Sequence, residues 1–208
     1  MNKRNLILLI CLLSLSTSVG CGQVATSPPT ATPIPGWEKF EGGGIELWLP
    51  ESFEGGNLEE DFELVVEGLK SLGPDFEQIA QAIEQNPSMF VLWAFDSEVS
   101  DTGFLTNMNV TTEKVSSSMT LDTYLDATIN QLPPQFHLLE QGIVQLGDYQ
   151  AGRLVWEAAI GDMAVKDLSY CIKDGSTMWA FGFSTSAEEF DQRLPVFEQS
   201  ARSFMIQP

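Results

Sequence analysis

The chain has 208 residues, with 29 acidic against 10 basic side chains, a single histidine, three cysteines and a formal net charge of −19. Binding to a phosphate backbone needs clustered Lys and Arg, so nucleic acid is excluded as a partner. One imidazole, His137, cannot assemble the usual zinc ligand set, and no cofactor is expected.

The first element is a processing signal. Asn2-Lys3-Arg4 give a positive start and Leu6 to Leu15 an apolar run, which is shorter than the roughly 20 apolar residues of a membrane-spanning helix. Ser18-Val19-Gly20-Cys21 follows, with the small residue before cysteine that lipoprotein processing requires. Residues 1–20 are therefore expected to be a removed signal peptide, and the mature chain to start at a lipidated Cys21 carrying palmitate-type acyl chains. More than one chain on the cysteine gives stable attachment where a single chain is marginal. Ser18 stands where such signals usually carry an aliphatic residue, which leaves cleavage by the general signal peptidase as the alternative. Removal of the peptide takes away Lys3 and Arg4 and no acid, so −19 becomes −21. Residues 21–36 continue as a lipidated cysteine and a tether rich in Pro, Thr and Ser. Its 15 residues from Gly22 to Gly36 reach about 45 Å as polyproline II at ~3.1 Å per residue.

Residues 37–208 are expected to fold as one domain, large enough to bury roughly 70% of its unfolded surface. With Cys21 acylated, Cys171 has no partner for a disulfide, and its apolar neighbours Tyr170 and Ile172 mark it as an inert core thiol. Trp37 to Phe40 and the alternating strand Ile45 to Leu49 flank Gly42 to Gly44, a hairpin turn, and Pro50 ends the strand. Leu58, Phe62, Val65, Val66 and Leu69 form one helical stripe; Phe76, Ile79, Ala80 and Ile83 form a second, bounded by Gly73-Pro74 and Asn86-Pro87. Met89 to Phe95 is apolar on both faces, as a central strand is. It pairs with Leu105 to Val115, Met108 and Val110 inward and Asn107, Asn109 and Thr111 on the other side.

The loop between these strands carries Asp96, Glu98 and Asp101, the candidate metal ligands of the chain. The spacing of an EF-hand is missing, since neither a glycine at the sixth position nor a glutamate at the twelfth is present.

Thr120 caps a helix striped by Leu121, Tyr124, Leu125, Thr128 and Leu132, which Pro133-Pro134 stops. A meander follows. Gly147-Asp148 turns Val144 to Leu146 into Tyr149 to Ala159, Gly161-Asp162 makes the next reversal, and Asp174-Gly175 joins Val165 to Lys173 with Ser176 to Ser184. With that last loop Tyr170 faces Trp179 and Leu168 faces Phe181. The chain closes with a Ser186/Glu189 capping box and the stripe Phe190, Leu194, Phe197, Ala201 and Phe204. Pro195 either kinks this segment or starts a second helix.

Three stretches carry a resemblance: Ile45 to Phe53 (IELWLPESF), Thr120 to Ile129 (TLDTYLDATI), and Ser176 to Phe204 with its ending FEQSARSF. On these the chain resembles the PsbP-like and DcrB-like proteins, many bacterial members of which are lipoproteins. The resemblance implies an α+β fold, an α/β/α sandwich with a mainly antiparallel sheet flanked by helices. The paired helices between Asn57 and Gln85 stand as an insertion.

No catalytic constellation stands out, and His137 is read as structural, so the chain is expected not to be an enzyme. The expected function is that of a membrane-anchored extracytoplasmic lipoprotein, a non-catalytic binding or assembly accessory with a protein partner in the membrane or cell envelope. The localisation is the extracytoplasmic face of the cell membrane, or the outer membrane in a cell with two, because Gly22 is no inner-membrane retention signal. The alternative is a small-ligand or divalent-cation-binding protein of the envelope, with Trp48, Trp93, Trp156 and Trp179 lining a pocket.

Overall fold

A computed structural model describes residues 34–71, 77, 80, 81, 84, 85, 90–98, 102–160 and 163–207. The signal, Cys21 and most of the tether lie outside the described residues, as do Gly73-Pro74, Phe76, Ile79, Ile83, Asn86-Pro87, Met89, Asp101, Gly161-Asp162 and the side chain of Leu69.

Gly43 and Gly44 take φ values of 54° and 89°, a region that side chains disfavour. They turn β1 (Trp37–Gly42) into β2 (Ile45–Pro50), which pair antiparallel with Gly42 opposite Ile45. The chain continues through β3 (Phe53–Asn57), α1 (Leu58–Ser71), β4 (Phe90–Asp96), β5 (Asn107–Lys114) and α2 (Leu121–Gln131). Then come β6 (Phe136–Leu146), β7 (Tyr149–Ile160), β8 (Met163–Asp174), β9 (Thr177–Ser186), α3 (Phe190–Arg202) and β10 (Met205–Ile206). Seven strands form one antiparallel sheet in the order β3-β4-β5-β9-β8-β7-β6, and β1-β2-β10 form a second.

Strand alternation assigns the two faces of the large sheet. Along β9, Trp179, Phe181 and Phe183 join the main core, whereas Met178 and Ala180 turn to the other side. The main core also takes Phe40, Ile45, Leu47 and Leu49 from the small sheet, and Phe190, Phe197 and Ala201 from α3. Phe197 stacks on Phe183 at 5.1 Å and Phe204 on Phe181 at 4.4 Å between ring centroids. Each such buried side chain contributes about 1.5 to 3 kcal/mol. On the opposite face, α1 covers Trp93 with Leu58, Val65 and Val66, and α2 covers Leu154, Cys171 and Met178 with Leu125. Helices thus lie against both faces of a mainly antiparallel sheet. The expected layering lacked the three-stranded sheet, which shares the outer layer with α3.

The paired strands β4 and β5, the described part of the stripe on α1, the stripes on α2 and α3 and the Thr120 cap follow the expectation; Thr120 Oγ1 accepts the Thr123 N–H at 3.2 Å. Four details differ. Asp174 pairs with Thr177, so the last loop is Gly175-Ser176, and Tyr170 faces Phe181 and Leu168 faces Phe183. Sliding a two-residue turn by one residue moves every partner by two, which leaves each side chain on its expected face. Ser186 does not cap α3: its backbone pairs with Val165 as part of β9, and its Oγ is buried with no hydrogen-bond partner among the described residues. The helix starts at Phe190 with Glu189 at its boundary. Pro195 does not start a second helix: it lies inside α3, with Phe190 and Phe197 anchored in the same core on either side of it. Finally, β6 extends over eleven residues where only Val144 to Leu146 was expected.

Candidate functional site

Asp96 ends β4 and is 5% exposed. One carboxylate oxygen accepts from Arg193 Nη1 at 2.6 Å and the other from the Glu98 N–H at 3.1 Å. Arg193 Nε donates to Glu189 at 3.0 Å. Partial burial pulls down the Arg193 pKa, but the hydrogen bonds and charges of Asp96 and Glu189 outweigh it and raise the value. The oxygens that would bind a cation at Asp96 are thus committed to Arg193 and to the loop backbone. Glu98 is exposed. Among the described residues no group of three His, Cys, Asp or Glu side chains is placed to hold a metal ion.

The remaining candidates are scattered. His137 is exposed on β6, opposite Glu157. Trp179, Trp93 and Trp156 belong to three separate hydrophobic clusters, so they cannot line one pocket. Cys171 is buried, and burial pushes its thiol up to about 12, which suppresses the nucleophilic thiolate.

Sequence reasoning missed a polar group inside the large sheet. Asp167 is 3% exposed, directly between Trp156 on β7 and Ser184 on β9. Ser184 Oγ donates to it at 2.7 Å, Ser169 Oγ donates to its other oxygen, and Trp156 Nε1 donates to Ser169 Oγ at 3.2 Å. A Cβ at Gly182 would come within 3.1 Å of Asp167, so the glycine makes room for this group. Burial pushes the Asp167 carboxyl up to about 6 against the pull of the two hydroxyls. The signal in the sequence was the alternation of Asp167, Ser169 and Cys171 with Leu168, Tyr170 and Ile172; it shows a second face without showing that the face is covered.

A second feature lies at the far edge of the sheet. Leu125 of α2 seats over Gly152, where a Cβ would stand 2.6 Å from its Cδ2. Between α2 and the edge strand β6 a cleft of about 150 Å³ remains, lined by Asp122, Leu125, Asp126, Gln141, Gly142 and Ile143. Among the described residues, the large hydrophobic side chains left exposed are Leu139, at 50%, and Ile143, at 37%. Both lie on β6.

No family model and no curated protein matches the chain. Solved structures do. Cyanobacterial PsbP (CyanoP) from Synechocystis sp. PCC 6803 superposes with a TM-score of 0.54 at 16% identity, over 87% of this chain and 98% of that one. LpqN of Mycobacterium tuberculosis, described as involved in cell envelope biogenesis, superposes with a TM-score of 0.52 at 10% identity, over 79% and 83% of the two chains. Likeness at such identity establishes the fold alone: the chain has a PsbP-like fold.

Proposed function

We propose that the chain is an extracytoplasmic lipoprotein, anchored through acylated Cys21, whose domain serves as a non-catalytic binding or assembly accessory in the cell envelope. On this reading the domain is a variant of the α/β/α sandwich of PsbP-like and DcrB-like proteins. The observation that carries it is the order of segments: a positive start, a short apolar run, Cys21 after Gly20, a proline-rich stretch, and then a fold shared with a protein of envelope biogenesis. The acidic body would repel anionic lipid headgroups, so attachment rests on the acyl chains and leaves the domain surface free for a protein.

The test is fractionation of cells expressing the full chain or its Cys21→Ser variant, with labelled palmitate and cross-linking of the intact envelope. The expected result is label and membrane recovery for the natural chain, loss of both in the variant, and a discrete cross-linked partner. A soluble, unlabelled natural chain would remove the anchor, and absence of any cross-linked partner would remove the accessory role.

A further inference from the structure

Among the described residues the four sheet edges are not equally guarded. β3 is five residues long with two glycines, β10 has two residues, and β1 carries Glu38, Lys39 and Glu41. Short strands and charged side chains are the usual means by which an edge avoids pairing with another chain. β6 has eleven residues, FHLLEQGIVQL, with neither Lys nor Pro, and its one acid, Glu140, is bonded to Arg153 of the neighbouring strand at 2.6 Å. A bulge interrupts the ladder between Leu138 and Glu140, so the regular free edge runs from Glu140 to Leu146.

The two-residue loop after β6 makes Leu146 and Tyr149 the closing pair, which in such a hairpin exchanges both backbone hydrogen bonds. Alternation then directs the N–H and C=O groups of Gln145, Ile143 and Gln141 away from β7 and toward the open edge. Gln141 and Ile143 also line the cleft beneath α2, where Asp122 and Asp126 stand one turn apart. Among the described residues no cationic side chain lines this cleft, and the last turn of α2 holds none.

We infer that β6 and the cleft under α2 form a docking edge for an extended segment of a partner protein, with alternate apolar and Lys or Arg side chains, added as an eighth strand. The inference rests on the accessory reading above and specifies its partner. Strand addition supplies main-chain hydrogen bonds for affinity and side-chain positions on alternate residues for specificity. Here the cleft side offers Asp122 and Asp126 to a cation beside the exposed apolar Ile143. A second copy of the chain is a poor occupant, since it brings the same acids and, with Lys3 and Arg4 removed from −19, a mature net charge of −21 against its like. The chain's own tether is also a poor occupant, because Pro28, Pro29, Pro33 and Pro35 lack the N–H that a ladder requires.

The experiment uses the full mature chain and a fluorescent, capped peptide of alternating Val and Lys, with Val/Glu and Pro/Lys peptides of the same length as controls, followed by anisotropy. The Val/Lys peptide is expected to bind saturably and the two controls not to bind. Gln141→Pro removes an outward N–H at an edge position that tolerates proline and is expected to weaken binding by about tenfold or more. The paired surface change Asp122→Asn with Asp126→Asn leaves the fold untouched and is expected to remove the preference for Lys over Glu.

Equal binding of Val/Lys and Pro/Lys peptides would overturn the proposal, as would an unaffected Gln141→Pro variant or dimerisation of the natural chain through β6. Absent peptide binding alongside a recovered cross-linked partner would also overturn it while leaving the accessory role standing. The loss of every cross-linked partner would instead remove that role.

Discussion

Arg193 on the closing helix α3 holds the carboxylate of Asp96 at 2.6 Å across 97 residues of chain. The pair fastens the end of β4 to the helix that roofs the main core, and Glu189 steadies the guanidinium from one turn away. Removing one partner leaves a charge in a site that has lost most of its water, which costs more than the intact pair contributes.

Arg193→Ala is therefore expected to destabilise the domain by about 2 to 3 kcal/mol, below the fully buried case because Arg193 is partly exposed. Adding Asp96→Ala should cost less than a second independent loss. Chemical denaturation of the two single variants and the double variant measures this. Strict additivity would show that the two groups do not act together.

The pH dependence of stability has a contribution from Asp167 whose sign opposes that of ordinary surface acids. Its folded-state value of about 6 lies above the usual 3.8, so the folded chain keeps a proton that the unfolded chain releases between those values. The stabilisation from this proton is complete below pH 4 and is lost as pH rises through 6. At neutral pH the ionised group costs about 3 kcal/mol relative to a neutral side chain. Cys171, on the same face, stays neutral throughout this range because burial raises its thiol to about 12. Asp167→Asn should gain stability over the natural chain progressively from pH 4.5 to 7.5. A difference between the two that stays constant with pH would contradict the burial of this carboxyl.

Gly55 combines two constraints. Its φ is 125°, and a Cβ there would stand 2.4 Å from the carbonyl oxygen of Trp93, a backbone atom that cannot swing aside. Gly55→Ala is expected to cost about 3 kcal/mol or more, read as a lowered thermal midpoint. Gly142→Ala, whose Cβ would meet open space, is the control that should leave the midpoint nearly unchanged.

Two hydroxyls separate a real helix cap from an apparent one. Thr120→Ala should lose about 1 kcal/mol, since Thr120 Oγ1 accepts the Thr123 N–H. Ser186→Ala should be neutral or stabilising, because it deletes a buried oxygen that has no partner among the described residues. A loss at Ser186 equal to that at Thr120 would restore the capping box read from the spacing Ser186/Glu189.

Much of the fold was legible because its signals are short in range. The glycine turn at residues 43 and 44, the cap at Thr120, the inward Met108 and Val110, and the stripe from Phe190 to Phe204 each follow from periodicity or from turn chemistry within a few residues. The candidate site was far less legible. Asp96 suggested a cation loop until α3 brought Arg193 to it, and Trp93, Trp156 and Trp179, each on a strand, could not announce that they serve different clusters.

The sequence by itself determined the acidic charge, the single inert cysteine of the domain and the local elements with their inward faces, since rise per residue and side-chain period depend only on neighbours along the chain. The tertiary structure alone decided which strand became an edge, which loop residues closed β8 to β9, and that Asp167 would lie under cover. A period of two assigns a side chain to a face but names neither the strand beside it nor the layer above. Those are settled by contacts between residues far apart in the chain, where the whole core must close at once.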